Sequence, residues 1–326
     1  MYTCWKVSRA GASVSDKLRV MFWFAALLLA GVMLLAMGPS SALASLNYEK
    51  IVVEFDFAIE QGAGQALEQP TDLSVVDGEL YVLDGMNHRV AVFDLDGNYR
   101  RQFGSPREIP RAIGICASGE GGVYVPDAET GRLLAYSARG ELLRSFNVAP
   151  VREGEKPDIT DCVVSPAGEI FLADNNNHRV QVYNREGERL RHWGRFGEAG
   201  NEFRFPATLD IDADGVIFVV DVINNRVKGF RASGRPAQWL GGWGITPGRL
   251  FRPKGVLVVG DRAFVSDSYT GVIQVFRTAG GLVGILADSQ GENIRFRTPT
   301  NMVFANNRLY VVEQLENRVS VWRLEP

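Results

Sequence analysis

Histidine and cysteine are both scarce here, three of each among 326 residues. His88, His178 and His192 stand in separate stretches, and a zinc centre needs its imidazoles to converge on one point, so a histidine-built zinc site is not expected. No G-x-S-x-G, H-E-x-x-H, C-x-x-C or phosphate-loop sequence occurs, which removes the usual signatures of serine hydrolases, zinc peptidases, dithiol redox enzymes and nucleotide binders. The one glycine-rich segment, GGWG at 241–244, joins two strand-like runs and opens no helix, so it lacks the context a phosphate site requires. Basic excess is missing too, with 35 Lys and Arg against 38 Asp and Glu. Four of those bases (Lys6, Arg9, Lys17, Arg19) and only one acid, Asp16, precede residue 20, so the remainder is more acidic still. Such a balance provides no electrostatic footprint for nucleic acid.

Long apolar runs are absent except for one, Val20 to Met37, which is 18 residues without a charge. Basic residues lie before it, and Ala42-Leu43-Ala44 forms an A-x-A cleavage site after it, the layout of an export signal. The run is also just long enough to span a bilayer. Residues 1–44 are therefore expected to be either a signal peptide cleaved near Ala44 or an N-terminal membrane anchor helix. Either way the rest of the chain is placed outside the cytoplasm, in the periplasm or its equivalent, with the membrane touched only through residues 20–37. No cysteine stands directly after the run, which argues against a lipoprotein.

What the chain has in quantity is repetition. An acidic residue closes a strand-like run at Asp84, Asp127, Asp174, Asp221, Asp267 and Glu313, at separations of 43, 47, 47, 46 and 46. Three residues before each stands an aromatic (Tyr81, Tyr124, Phe171, Phe218, Phe264, Tyr310), and nine after it another (Phe93, Tyr136, Tyr183, Phe230, Phe276, Trp322). Five residues after the acid an arginine stands in every unit except the fifth, which has Val272. A proline opens each unit: Pro70, Pro110, Pro157, Pro206, Pro253, Pro299. Each period holds alternating runs divided by Gly, Asp and Asn turns, which reads as four short strands a, b, c and d.

Segments such as MNHRVAVF (86–93), NNHRVQVY (176–183) and INNRVKGF (223–230) resemble the NHL repeat family, and the resemblance covers roughly residues 50–326. It implies an all-β fold, a six-bladed β-propeller of four-stranded blades. KIVVEFDF (50–57) is a strand without a neighbouring partner, while the last unit ends after strand c, so the N-terminal strand is expected to close the last blade. Apolar residues three before the proline (Leu67, Phe203, Leu250, Phe296) read as plugs between neighbouring blades, absent from units 2 and 3. Cys116 and Cys162 lie six and five residues past their prolines, so alternation turns them to opposite faces. Two buried thiols are the expected state, with a disulfide as the alternative for an exported protein.

The recurrence of the acid and arginine in nearly every unit marks them as structural, since a catalytic group is needed once or twice. Variation within a repeating scaffold is where function concentrates. The positions just past the acid vary most, and together with residues beside the prolines they nominate Arg111, Asn176, Ile223, Lys254, Tyr269 and Leu315 as a contact surface on the face of the b-to-c turns and d-to-a linkers. The expected function is a non-enzymatic, exported binding scaffold, a monomeric ring without cofactor or resident metal, whose partner is an exported or membrane protein, or a glycan or peptide. One alternative is a lactonase- or lyase-like enzyme holding a divalent cation in the channel with Asp72, Asp161, Asp210 and Asn301. Asp161 and Asp210 fall at one phase, four past their prolines, and Asp72 and Asn301 at another. A further alternative is a purely structural envelope module.

Overall fold

The computed structural model describes residues 48–324. The leader or anchor helix assigned to residues 1–44 lies outside the described residues; among those described, no helix is long and apolar enough to cross a membrane. The described chain is strands and turns, with one 3-10 turn at Gln314–Glu316.

Alternating apolar residues and glycine-marked turns fold each unit into antiparallel strands that pair in chain order. Unit 1 comprises Pro70–Val76, Glu79–Asp84, Arg89–Asp94 and Tyr99–Phe103. Unit 2 comprises Cys116–Ala117, Val123–Asp127, Arg132–Tyr136 and Leu142–Asn147; unit 3, Ile159–Val164, Ile170–Asp174, Arg179–Tyr183 and Arg189–Trp193. Unit 4 is Pro206–Ile211, Ile217–Asp221, Arg226–Phe230 and Pro236–Gly241. Unit 5 is Pro253–Val259, Arg262–Asp267, Val272–Arg277 and Leu282–Ala287, and the last unit supplies Pro299–Ala305, Arg308–Glu313 and Arg318–Leu324.

The structure is an all-β propeller, but the expectation of six separate four-stranded blades is corrected. Only four sheets are discrete and four-stranded; the strands of the last two units run together in a single eight-stranded sheet. They are joined by β1 (Glu49–Ile59), which at 11 residues reaches roughly 36 Å. Its first residues run parallel to strand d of unit 5, with Glu49 beside Gly284 and Val52 beside Ala287. Its later residues run antiparallel to Arg318–Leu324, from Val53 beside Leu324 to Ile59 beside Val319. The fusion depends on Gly284, where a Cβ would stand 2.4 Å from the Glu49 carbonyl oxygen. Alternation in the sequence marks β1 as a strand without saying how many neighbours it takes.

Strands a of successive units touch in turn, and that of the last unit touches that of the first, so the ring closes around a channel. Six apolar cores lie between neighbouring units rather than within them. Leu67, Phe203, Leu250 and Phe296 are buried in four of these cores, as plugs. Units 2 and 3 do have plugs, contrary to the sequence reading: Ile109 and Val148 fill the remaining two cores from other linker positions.

Cys116 and Cys162 form a disulfide, with their Cα atoms 5.7 Å apart. Alternation does turn them to opposite faces of their strands, Cys116 opposite Tyr124 and Cys162 opposite Leu172, but in neighbouring units of a ring those two faces meet in one core, so the expected free thiols are corrected to a bond. In unit 2 it is Ala112, not Pro110, that bridges to Asp127.

Candidate functional site: the linker face and the channel

Six buried acids organise one face of the ring. Asp84, Asp127, Asp174, Asp221, Asp267 and Glu313 end strand b, and each accepts the backbone N–H of the incoming linker, from Glu68, Arg111, Asp158, Arg204, Phe251 and Arg297, at 2.5–3.0 Å. A carboxylate accepting several such bonds fixes linker to turn. Arg89 and Arg318 pair with their acids at 2.8 Å, whereas Arg132 turns instead to Thr130 Oγ1 and the Glu108 carbonyl.

The residue four past the acid is left-handed throughout: His88, His178, Asn225 and Asn317 have φ of 51°, 56°, 55° and 53°, and Gly131 and Gly271 have 65° and 68°. This is why units 2 and 5 carry glycine where others carry His or Asn. Three of these side chains also clip the next linker. His178 Nδ1 accepts the Phe205 N–H at 3.2 Å, Asn225 Oδ1 that of Arg252 at 3.1 Å, and Asn317 Oδ1 that of Gln69 at 2.8 Å. The clip requires His178 Nδ1 to be unprotonated, and burial lowers that imidazole below its ordinary 6.5. Phe205 itself sits at φ 62°, a strained backbone for an aromatic residue, with its ring edge-on to His178 at 4.7 Å.

Linkers and turns carry exposed apolar side chains along units 3 to 6. Phe196, Trp243, Ile245, Tyr269 and Leu315 are 61–72% exposed, with Phe205 and Ile223 less so. They are held in place: Phe196 and Trp243 sit in bridges to Phe203 and Leu250, and Tyr269 rests edge-on against Phe251 at 4.5 Å. Large apolar groups clustered on one face are the usual mark of a contact surface.

The channel is narrower business. Asp72 faces Leu83 and Asp161 faces Ala173, each one pair past its column acid; Asn301 precedes Met302, which faces Val311. These three therefore share a level, and Asp210, facing Phe218, lies two pairs deeper, a correction to the phase read from the prolines. Gly114 leaves room beside them, since a Cβ there would fall 2.8 Å from Asp161 Oδ1. Asp72 accepts N–H groups of Leu73 and Ile115, Asp161 those of Cys162 and Leu209, and Asp210 those of Ile211 and Val258, at 2.5–2.8 Å. Each acid thus ties its own strand to the first strand of the next unit. Asn301 Nδ2 donates to Asp72 at 2.5 Å. Burial pushes Asp72 and Asp210 up to about 7, and burial with the Asp72 charge beside it pushes Asp161 well above the carboxylate range. Among the described residues no group of three or more His, Cys, Asp or Glu is arranged to hold a metal ion. The channel holds a cavity of about 180 Å³ lined by Asp161, Asp210, Asn301, Leu209, Met302 and the disulfide.

The NHL repeat model matches residues 67–93 and 161–183. The chain carries NHL repeats on a β-propeller fold. Its solved structural relatives include virginiamycin B lyase from Staphylococcus aureus, a catalytically inactive variant with quinupristin, at 13% identity and TM-score 0.64 over 83% of this chain and all of that one. A streptogramin B lyase matches at 13% identity and TM-score 0.60 over 83% and 87% of the two chains. Hydrazine synthase of Kuenenia stuttgartiensis matches at 13% identity and TM-score 0.56 over 83% of this chain and 100% of that one. At that identity the likeness concerns the fold alone.

On the NHL-repeat propeller the nominated residues fall into two groups. Ile223, Tyr269 and Leu315 lie with the exposed apolar side chains, and Asn176 is exposed on its turn. Arg111 is engaged by Asp158 at 2.7 Å and Glu129 at 3.7 Å, in unit 2 and away from that series. Lys254 is half-buried at the start of strand a in unit 5, where burial and Arg252 lower its pKa. Two other arginines beside the prolines are paired, Arg204 with Glu198 and Arg297 with Glu316, at 3.0 Å each. Sequence reasoning missed Phe196 and Trp243. Their signal was an aromatic set between glycines, GRFG and GGWG, outside any strand.

Proposed function

We propose that this NHL-repeat propeller is an extracytoplasmic, non-enzymatic scaffold that binds a protein partner through its linker face. The observation that carries the reading is the exposed series Phe196, Ile223, Trp243, Ile245, Tyr269 and Leu315 on a rigidly braced surface. Aromatic anchors of this kind dominate protein interfaces. The enzyme alternative rests on Asp72, Asp161 and Asp210, but both oxygens of each already accept backbone N–H groups that join neighbouring units. Export rests on the leader-like residues 1–44.

Photo-crosslinking in the native host from a probe at Tyr269, with a probe at Gly215 in an a-to-b turn as the opposite-face control, tests the proposal. A discrete protein adduct from Tyr269 alone, lost in Trp243→Ser, is the expected result. Absence of any adduct from a folded, abundant protein, or equal adducts from both positions, overturns it.

A further inference from the structure

The opposite face carries a second feature, legible only by comparing units. In unit 1, Arg101 on strand d makes two hydrogen bonds to Glu79 at the start of strand b, at 2.7 and 2.5 Å, and one to Tyr81 Oη at 2.9 Å. In unit 3, Arg191 binds Glu169 the same way, at 2.7 and 2.6 Å. The last unit reverses the charges, with Arg308 on strand b paired at 2.8 Å to Asp56 of β1, which serves as its outer strand. Unit 2 has the arginine without the acid.

Arg144 occupies the register of Arg101 and Arg191: it pairs across from Ala135 as they do from Val92 and Val182. It donates to Tyr124 Oη at 3.2 Å, repeating the tyrosine contact of unit 1. The position of the missing carboxylate is Gly122, where a Cβ would come within 2.1 Å of the Tyr136 carbonyl oxygen, so no side chain fits. Among the described residues no carboxylate lies within ion-pair distance of Arg144. In front of it opens a cleft of about 650 Å³, bounded by Tyr124, Ala135, Leu143 and Arg185, with Glu120, Glu141 and Glu186 also in its lining. Unit 5 exchanges the two residue types, with Arg262 at the strand-b position and Gly284 at the strand-d position, and there the backbone of Glu49 in β1 lies against the glycine.

We propose that the unit 2 cleft binds a small organic acid, its carboxylate seated over Gly122 against Arg144 and its apolar body along Leu143 and Ala135. A planar guanidinium prefers two-point contact with a carboxylate, and the volume lies in the range of small-molecule sites. Arg185, paired with Glu120 across the cleft, closes one wall. The same chemistry could be presented by the free C-terminus of a peptide.

Titration calorimetry on the full chain tests this with N-acetyl-L-leucine, its amide, and a tetrapeptide ending in leucine with a free or amidated C-terminus. The expected result is saturable binding of a free-acid probe, weaker by roughly tenfold or more for the matching amide and for Arg144→Met. Arg191→Met, which disturbs a paired arginine elsewhere, should leave binding unchanged. Binding of the short acid identifies a small-molecule site, and binding of the peptide acid alone a chain terminus. No binding by any probe, equal binding of acids and amides, or unchanged binding in Arg144→Met overturns the proposal.

Discussion

If β1 holds the last two units together, truncating its buried side chains must destabilise the whole ring. Val53 is buried in the core between the last two units, and Ile59 in the core between the last unit and the first. Ile59→Ala removes three methyl or methylene carbons from a site 3% exposed, a change that costs about 2–5 kcal/mol once the residual cavity is included. Val53→Ala removes two, about 2 kcal/mol by transfer alone. The two residues are six apart on an extended strand, roughly 20 Å, so their effects should add to within about 0.5 kcal/mol. For a ring of this size 1 kcal/mol moves the melting temperature by roughly 2 °C.

Scanning calorimetry of the full chain should therefore show Ile59→Ala lowered by about 4–10 °C, the double variant further by the sum, and one transition throughout. Glu54→Ala, an exposed position on the same strand, should stay within about 0.5 kcal/mol. The decisive feature is unity of the transition, since units 1 to 4 touch β1 little or not at all in their own sheets. An early, small transition in Ile59→Ala followed by an unshifted main one would show that β1 is a local flap and would refute the reasoning.

Cys116→Ser should lower stability by up to about 4 kcal/mol, the loop entropy for a separation of 46 residues, and maleimide labelling of both cysteines in the folded, unreduced protein would contradict the bond. Asp72 and Asp210 hold protons up to about pH 7 in the folded ring and release them near pH 4 when unfolded, so their stabilisation is complete below pH 4 and lost as pH rises through 7. His178 and His192, lowered by burial, act oppositely and lose stability as pH falls below 6.5, but the raised carboxyls outnumber them. Denaturant melts should thus show greater stability at pH 5 than at pH 8, with Asp72→Asn flattening the slope by roughly 1.4 kcal/mol per pH unit; identical slopes in both proteins would sink this account. Gly131→Asn should be tolerated while Gly131→Val loses more than about 1 kcal/mol in the same melts, because only the former accepts a φ of 65° cheaply and a Cβ there meets nothing closer than 3.5 Å.

Much of this architecture was legible because the columns repeat. The aromatics on strands b and c, buried in every unit except for the half-buried Trp322, were visible at constant offset from the acid, and so was the role of Leu67, Phe203, Leu250 and Phe296. What failed was the level of the channel acids, counted forward from proline along strand a. In units 2 and 3 the proline stands two residues ahead of the position that Pro70 takes opposite Asp84, which Ala112 and Ile159 fill instead. That offset set Asp161 at the phase of Asp210, when it is level with Asp72. A proline restricts its own backbone but does not count the residues of a bulge that follows. The fused sheet was hidden for a different reason, since it depends on one glycine, Gly284, whose meaning appears only when β1 lies against it.

The same comparison between units separates scaffold from function more sharply than composition does. Where a column keeps its residue, as at the six acids, the side chain ties linker to turn and has no bond to offer a ligand. Where a column changes residue but keeps the backbone, as at Gly131 and Gly271, the change answers a left-handed φ and is again structural. Function is sought where a column loses one half of a pair and the other half stays in place. Arg144 without its acid and Trp243 without a covering neighbour are two such residues, on opposite faces of one ring. A closed ring permits this because its stability resides in the cores between units, which neither residue enters, so both faces are free to diverge without loosening the fold.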